Sequence, residues 1–371
     1  MNPGVSGHIE LELSVARPDP MDAARSAAER VVAAYRRALA EEQAPAPSLW
    51  DHAAAQQVEF LHALAKGDVE TVAGQLSNFF ATQLVWGMAP VLTPETSQHA
   101  YSGYLIRTGD AIVSLAQAIG VFGARSIEQG GPLHQQQIPI ETLDGLVAVI
   151  EHHTGLVLSF LDVASNRGWR FGARVTNADT LRHTYGVWRL QQLGVNSDDA
   201  LVEIGGGFGC MAALAARAGF RNYTILDLPW VNAIQGYVLI RTLGHEAVQL
   251  HGETRRAPVR VAPFWTISAM KRRSVDVVVN VNSLPEIGYD TARHYIQRIA
   301  IIIRRAFLSI NQEGEAATVH GTRQLRVWDL ARAEPRLQLR SRYLSWMEQG
   351  YVEEIYCPAG AKKFLARRRL F

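Results

Sequence analysis

The stretch Ala200–Asp227, ALVEIGGGFGCMAALAARAGFRNYTILD, decides the fold of this chain. Its apolar residues at 201–204 predict a buried strand, and the glycines that follow predict a turn where a ligand can approach the backbone. The next segment, Phe208–Ala218, is predicted to be a helix whose free N–H groups face the same place. A second apolar strand ends at Asp227. This order of elements predicts a Rossmann-like βαβ unit.

The spacing of the glycines bears on which ligand is bound. The carboxylate that ends the second strand is placed to accept hydrogen bonds from ribose hydroxyls. A dinucleotide site runs G-x-G-x-x-G/A, and counted from Gly205 its third small position falls on Cys210, a poor match. The stretch fits (E/D)-x-G-x-G-x-G instead, through Glu203, Gly205, Gly207 and Gly209. An acid before the glycines suits a cofactor without phosphate and with a cationic amino-acid portion. A nucleotide-binding dehydrogenase and a turn without a ligand are the alternatives.

This pattern resembles motif I of the class I S-adenosylmethionine (SAM) methyltransferases. Three stretches also resemble the sugar O-methyltransferase family: VEIGGGFG, YTILDLPWVNAIQGYVL (Tyr223–Leu239) and VNVNSLPEIG (Val279–Gly288). The resemblance covers roughly Thr176–Pro358, with Ile287 where the family more often has Met. It implies SAM as cofactor, a mostly parallel seven-stranded sheet with a C-terminal antiparallel hairpin, and methyl transfer to a hydroxyl of a sugar-like or glycosylated small metabolite.

Composition limits the other possibilities. With 371 residues, 48% of them hydrophobic, the chain is long enough for two domains. A net charge of +2 gives no global field for nucleic acid. Two cysteines provide neither a disulfide framework nor a metal motif. No apolar stretch is long enough to span a bilayer, and the N-terminal sequence lacks the features of a signal peptide. We therefore expect a cytoplasmic enzyme, and the resemblance suggests a role in specialised (natural product) metabolism.

The first half of the chain reads as an all-α N-terminal domain over residues 1–172, whose first ~20 residues are an arm or disordered. Helical spacing and terminal signals predict its helices. They are Asp22–Glu42, Ser48–Lys66, Asp68–Trp86, Thr96–Ile119, Ile140–His153 and Gly155–Ala164. By composition, Asn166–Gly172 is a linker. Thr176–Leu193 is predicted to be a helix that leads into the SAM-binding domain, residues 173–371.

In that second domain, strands and helices alternate, which predicts a parallel sheet. The strands are predicted at Leu201–Ile204, Tyr223–Leu226, Ala247–His251, Val275–Val281 and Ala306–Ile310. Helices are predicted at Phe208–Ala218, Val231–Leu243 and Thr291–Ile303. The closing hairpin is predicted to join Tyr351–Tyr356 to Lys363–Arg369 through the turn Cys357–Gly360.

Ligands of open α/β sheets bind beyond the carboxyl ends of the strands, which places the candidate cofactor contacts. They are Glu203, Gly205, Gly206, Gly207, Gly209, Asp227, Leu228, Phe264, Asn280 and Asn282. The glycine turn and Glu203 are predicted to hold the methionine portion and Asp227 the ribose. Leu228 and Phe264 either flank the adenine or pack in the core. Asn280 and Asn282 bind the methionine portion, a substrate hydroxyl or the neighbouring backbone.

An acceptor hydroxyl needs a general base, and two candidates stand out. Glu286 follows a predicted strand and matches the acidic residue of the family, although it could instead cap the next helix. His183 is the best-placed histidine, ahead of His294 and His320. No acidic or histidine cluster demands a metal, so none is predicted.

The predicted partner is a small-molecule acceptor, without nucleic acid or membrane. The helical half is expected to cover the cofactor cleft, to supply acceptor contacts and to form a possible homodimer. Two alternatives stay open: a SAM-dependent methyltransferase of another centre (nitrogen, carboxylate or a non-sugar hydroxyl), and a SAM-binding protein without catalysis.

Overall fold

The computed structural model describes residues 13–41, 48–90, 98–122, 140–314 and 323–360. Its strands, in chain order, are β1 (Leu13–Val15), β2 (Arg167–Phe171), β3 (Arg174–Thr176), β4 (Leu201–Ile204), β5 (Tyr223–Asp227), β6 (Val248–Gln249), β7 (Val259–Pro263), β8 (Val275–Val281), β9 (Ile303–Gln312), β10 (Leu337–Leu344) and β11 (Tyr351–Pro358).

The helices are α1 (Met21–Ala40), α2 (Leu49–Ala55), α3 (Val58–Lys66), α4 (Val69–Leu76), α5 (Gln98–Ala118), α6 (Ile140–Thr154), α7 (Ala178–Gln192), α8 (Cys210–Arg217), α9 (Pro229–Leu243), α10 (Tyr289–Ile302) and α11 (Val327–Arg332). Short 3₁₀ turns at Phe79–Ala81 and Gln83–Val85 follow α4 where the sequence predicted one continuous helix. The predicted helix Ser48–Lys66 is likewise two helices, α2 and α3.

The large sheet has eight strands among the described residues, in the order β10-β11-β9-β8-β4-β5-β7-β6. From β6 to β9 every neighbouring pair is parallel, and β11 runs antiparallel to both of its neighbours. All seven residues of the central strand β8, VDVVVNV, are buried, as expected where helices cover both faces of a parallel sheet. The fold is therefore α/β and Rossmann-like, with one strand more than the seven predicted.

The extra strands and the hairpin correct the sequence prediction. Strand β7 was not predicted, and the two-residue β6 is shorter than the predicted Ala247–His251. The hairpin forms between β10 and β11, and the other edge of β11 pairs with β9. Both edges of β11 are thus filled by strands other than the predicted partner. The segment Lys363–Arg369 lies outside the described residues.

The N-terminal half is not all-α, which is a second correction. Strands β1, β2 and β3 form a small antiparallel sheet, so the segment predicted as a linker, Asn166–Gly172, is mostly strand. Trp169 and Phe171 bury their rings in this segment. In this segment two aromatic residues alternate with arginine, which is the two-residue period of a strand. A prediction from composition alone does not detect this order.

The predicted helix Gly155–Ala164 is irregular chain without helix, and its first part is extended. Gly155 ends α6 with φ +67°, and after it Leu156, Leu158 and Phe160 are buried while Val157 between them is exposed. This alternation is the period of an extended segment. Phe160 N–H donates to the carbonyl of Val175 (3.1 Å), which ties the segment to β3.

The helical half packs directly on the helix layer of the sheet. Arg30 of α1 forms a bidentate ion pair with Glu253 (2.8 Å for each bond), and both side chains are largely buried. Asp19, which precedes α1, accepts a hydrogen bond from the Tyr237 hydroxyl of α9 (2.7 Å) and pairs with Arg241 (3.1 Å). The two halves of the chain therefore share one core. No described helix is both long and apolar enough to span a membrane.

Candidate functional site

A cleft opens at the carboxyl ends of β4, β5 and β8, where the fold places ligands; its empty space, together with the open solvent at its mouth, is about 890 Å³. Its wall combines the glycine turn and strand ends with residues from α7, α10 and the helical half. The lining residues are Ser48, Trp50, Gly87, Met88, Arg182, His183, Ile204, Gly205, Gly206, Gly207, Phe208, Leu226, Asp227, Leu228, Phe264, Val281, Asn282, Ser283, Ile287, Thr291 and Tyr295. Seven of the ten predicted cofactor contacts line it, as does His183.

The glycine turn has a backbone that side chains could not adopt without cost. Gly205, Gly207 and Gly209 all have positive φ, at +67°, +54° and +91°. A Cβ on Gly205 would lie 2.1 Å from the Ser283 Oγ, whereas a Cβ on Gly207 would meet nothing within 4 Å. Gly207 therefore exposes its backbone to the open cleft, and Gly209 lies behind it against Leu239.

A fully buried amide joins the glycine turn to the carboxylate at the end of β5. Gln235 Nε2 donates to Asp227 Oδ2 (2.7 Å) and to the carbonyl of Gly207 (2.9 Å). Asp227 Oδ1 accepts the N–H of Leu228 (2.8 Å). Burial raises the pKa of Asp227 to about 7, against the lowering effect of these hydrogen bonds. Each carboxylate oxygen keeps a lone pair, so Asp227 can still accept hydrogen bonds from a ligand.

The apolar part of the cleft lies beside this carboxylate. Leu228 and Phe264 line it from the ends of β5 and β7, and Ile287 and Tyr295 line it from the α10 side. Neither Leu228 nor Phe264 is fully buried in the core. Together these side chains offer a slot suited to a flat apolar ring.

Asn280 lies beneath the cleft rather than in its lining. Its side chain is fully buried and donates to the carbonyl of Ile204 (2.7 Å) and to the Ser283 Oγ (2.5 Å), while its Oδ1 accepts from Asn311 (2.8 Å). It thus joins the ends of three adjacent strands. Asn282 does line the cleft, has φ +59°, and accepts the Tyr351 hydroxyl at Oδ1 (2.8 Å).

Glu203 is also placed beneath the glycine turn and not in the lining. Its Oε2 would lie 3.0 Å from a Cβ on Gly206, and that oxygen has no hydrogen-bond partner among the described residues. The side chain is 1% exposed, and this burial raises the pKa of Glu203 to about 8, with a smaller contribution from the charge of Asp227. Glu203 is therefore largely neutral at pH 7 in the ligand-free protein.

Glu286 lies one residue before the cleft-lining Ile287, in the 3₁₀ turn Leu284–Glu286. Burial raises the pKa of Glu286 to about 7. Its carboxylate has no hydrogen-bond or ion-pair partner in the described part of the chain. It is near enough to Tyr351 to interact electrostatically, and the Tyr351 hydroxyl contacts Asn282 in the lining. Glu286 itself is not among the cleft-lining residues; its carboxylate is unpaired in the described part of the chain, and its raised pKa lets it bind a proton near neutral pH.

His183 lines the cleft from α7, next to Arg182. Its Nδ1 is buried without a hydrogen-bond partner in the structure as described. Burial, together with the charge of Arg182, lowers the pKa of His183 to about 3. The imidazole is therefore neutral at pH 7 and has little affinity for a proton.

Part of the cleft wall comes from the helical half, and no local sequence signal predicted it. Ser48, Trp50, Gly87 and Met88 reach the cleft from α2 and the turn after residue 85. The Trp50 ring packs against that of Trp230 at the start of α9, with centroids 5.9 Å apart. More than a hundred residues separate these segments from the glycine turn, so only the packing of α1 and α2 on α9 brings them together. Among the described residues there is no cluster of three or more His, Cys, Asp or Glu side chains that could hold a metal.

Comparisons with known proteins add partial likenesses. The chain matches no protein-family model and no curated protein sequence. Magnesium protoporphyrin IX methyltransferase (ChlM) from Synechocystis PCC 6803, solved with bound SAM, is 12% identical over 49% of this chain and 79% of that one, with a TM-score of 0.37. The [4+2]-cyclase SpnF is 14% identical over 48% and 80%, with a TM-score of 0.37. A protein from Pyrococcus horikoshii, described as a candidate RNA methyltransferase, is 15% identical over 50% and 85%, with a TM-score of 0.32. The fold assignment rests on the strand order above, and none of these matches singles out sugar methylation.

Proposed function

We propose that this protein is a SAM-dependent methyltransferase that binds its cofactor in the cleft described above. One observation carries the proposal: Gln235 ties the open backbone at Gly207 to the Asp227 carboxylate, so that both face the same cleft. A bare backbone turn beside a carboxylate suits a ligand that joins an amino-acid portion to a ribose. The turn would hold the methionine portion, Asp227 the ribose hydroxyls, and the apolar slot of Leu228 and Phe264 the adenine.

The reaction that this arrangement favours is transfer of the sulfonium methyl group to an acceptor oxygen. The oxygen attacks the methyl carbon in line with the departing thioether, so holding it behind the methyl group supplies much of the acceleration. Effective molarities for well-oriented groups reach about 10⁵–10⁸ M. A protonated hydroxyl is a poor nucleophile, and a base adds roughly 10²–10⁴-fold.

We assign the base to Glu286 rather than His183. A catalytic base works best when its pKa lies near the operating pH. Burial raises the pKa of Glu286 to about 7, whereas the pKa of His183 is lowered to about 3. The Glu286 carboxylate also has no hydrogen-bond or ion-pair partner within the described chain, so either of its oxygens can accept a proton from the acceptor hydroxyl. His183 would then contact ligand as a neutral group.

We further propose that the acceptor is a sugar-like or glycosylated small metabolite, in a cytoplasmic pathway of specialised metabolism. The polar lining residues Asn282 and Thr291 support an acceptor with several hydroxyls. Methylation of another centre uses the same cofactor site. A binder without catalysis is the other alternative, although the open cleft and the unpaired Glu286 favour an enzyme.

Residues 1–172 are proposed to act as the covering domain of the SAM-binding domain, residues 173–371, and to carry a homodimer contact. Trp50 and Met88 support the covering role, because both reach the cleft from that half. Gel filtration with light scattering tests the dimer, and a monomer at micromolar concentration would contradict it.

Two measurements test the function in sequence. Calorimetric titration with SAM and with S-adenosylhomocysteine (SAH) tests the cofactor, and binding of neither compound would refute the proposal. A screen of acceptors with methyl-labelled SAM then separates the candidate functions. Label in hydroxyl compounds supports the O-methyltransferase, label only in amines or carboxylates supports another centre, and SAH binding without any transfer supports the binder.

A further inference from the structure

Arg182 is the only lysine or arginine among the described residues that line the cleft. It projects from α7, and four residues later on the same helix face Gly186 packs against α8. A Cβ on Gly186 would lie 2.9 Å from the Cε of Met211, in the first turn of α8. Arg182 also interacts electrostatically with Cys210, the first residue of that helix. Arg182 thus belongs to the part of the cleft wall where α7, the glycine turn and the start of α8 meet, which we call the corner.

This corner favours an anion for two reasons. The first N–H groups of α8 have no partner within the helix and carry partial positive charge. The Arg182 guanidinium adds a full charge and five donors. Two carboxylates occupy part of it: Glu348 Oε1 lies 2.6 Å from Nη2, and Asp179 Oδ1 lies 3.8 Å from Nη1. These contacts hold the side chain in place, and two ion pairs do not exhaust the five N–H donors of a guanidinium.

We propose that Arg182 binds the α-carboxylate of the methionine portion of SAM and so sets the position of the sulfonium in the cleft. The inference rests on the proposed function, because it assigns one more contact of the same cofactor. SAM has a single anionic group, and it must enter the cleft beside the glycine turn. Arg182 is the lining side chain that can neutralise it, through a charge-assisted and potentially bidentate bond.

An anionic group on the acceptor is the competing ligand for this arginine. The contact of α7 with the start of α8 favours the cofactor, since the glycine turn that leads into α8 is the proposed site of the methionine portion. The two assignments differ in one expectation. If Arg182 binds the cofactor, loss of its charge weakens SAH binding even without an acceptor, whereas an arginine that binds only the acceptor leaves SAH affinity unchanged.

The test compares two ligands by calorimetry, SAH and 5′-methylthioadenosine, which keeps the adenosine and the thioether but lacks the amino-acid portion. For Arg182→Met we expect SAH to bind about 10- to 100-fold more weakly, as for a lost hydrogen bond to a charged group. Affinity for 5′-methylthioadenosine should stay within about twofold. A purely structural role for Arg182 would weaken both ligands together.

Glu348→Gln is the matched control, because it breaks the same ion pair and leaves Arg182 in place. Its SAH affinity should stay within about threefold of the unaltered protein. If Arg182→Met does not fold, the α-carboxylate methyl ester of SAH is titrated against the unaltered protein, where we expect the same 10- to 100-fold loss relative to SAH.

The outcomes separate the two proposals. If the unaltered protein binds neither SAH nor 5′-methylthioadenosine, the proposed function itself fails. If it binds SAH, and Arg182→Met or the methyl ester retains that affinity, the function stands and the assignment of Arg182 is overturned. Equal loss of both ligands in Arg182→Met also overturns it, since the variant would then have damaged the cleft as a whole.

Discussion

Replacing Gly207 by alanine should separate ligand binding from folding at the glycine turn. Gly207 has φ +54°, and a Cβ there would meet no protein atom within 4 Å, so the methyl group would project into the cleft. The cost to the fold is then the backbone cost alone, about 1–2 kcal/mol for a non-glycine residue in the left-handed region. The cost to binding is much larger, because the methyl group occupies the surface that the cofactor must approach.

Gly219 provides a matched control for this change. It follows α8 with φ +92°, and a Cβ there would likewise meet nothing within 4 Å, but it does not line the cleft. Gly207→Ala and Gly219→Ala should therefore lose similar free energies of unfolding, about 1–2 kcal/mol each in urea titrations. Only Gly207→Ala should lose SAH affinity, by more than about tenfold in calorimetry. Equal SAH affinities in the two variants would refute the placement of the cofactor on this turn.

Two further predictions concern catalysis and stability. Turnover should rise with pH as Glu286 loses its proton, and the inflection should lie below pH 7, because bound SAM lowers a carboxyl pKa that burial alone raises to about 7. Glu286→Gln should lower turnover about 10²–10⁴-fold and abolish that inflection while keeping SAH affinity. A variant with unchanged turnover would remove Glu286 from the base role. Glu353 is fully buried and accepts hydrogen bonds from Tyr185, Arg189 and Tyr343. Glu353→Gln should leave the Arg189 charge unpaired and lower the free energy of unfolding by about 3–5 kcal/mol in urea titrations, against about 1 kcal/mol for Tyr343→Phe. Equal losses in the two variants would contradict this view of the network.

The central βαβ unit could be predicted because its signals are local. The strand at 201–204 has the predicted bounds, and the turn and helix that follow are set by Gly205–Gly209 within ten residues. Strand β7 was harder, because Pro258 precedes it, Pro263 is its last residue and Arg260 is exposed in its middle. Proline usually indicates a loop because it lacks an N–H, yet its carbonyl can still accept a hydrogen bond, and that of Pro258 accepts the N–H of Tyr223 in β5 (2.9 Å).

The site could be predicted only where its residues lie close together in the sequence. Asp227 and the glycine turn belong to one supersecondary unit, so their proximity follows from the fold class. Gln235 was not singled out, since a glutamine within an apolar helix shows no sign of the two hydrogen bonds that it makes. Trp50 and Met88 could not be placed at all, because their position depends on how the helical half docks on α9.

The charges around the cleft have a consequence for cofactor binding itself. Burial raises the pKa values of Asp227 and Glu286 to about 7 and that of Glu203 to about 8, so each carboxyl holds its proton more tightly in the ligand-free protein than in water. SAM carries a sulfonium, an ammonium and one carboxylate, which makes it a net cation. A cation bound nearby favours the ionised carboxylates and lowers their pKa values.

SAM binding should therefore release protons at pH 6–7, where Asp227 and Glu286 are partly protonated and Glu203 is largely protonated. SAH lacks the sulfonium charge and should release fewer. The number of protons is measured by titrating each ligand at one pH in buffers of different ionisation enthalpy, because each released proton adds the enthalpy of its uptake by the buffer. Proton uptake on SAM binding, or equal release for SAM and SAH, would contradict the argument. Release that vanishes only in Asp227→Asn would assign the proton to the ribose carboxylate, and release that vanishes only in Glu286→Gln would assign it to the proposed base. Release that vanishes only in Glu203→Gln would assign it to the carboxyl beneath the glycine turn.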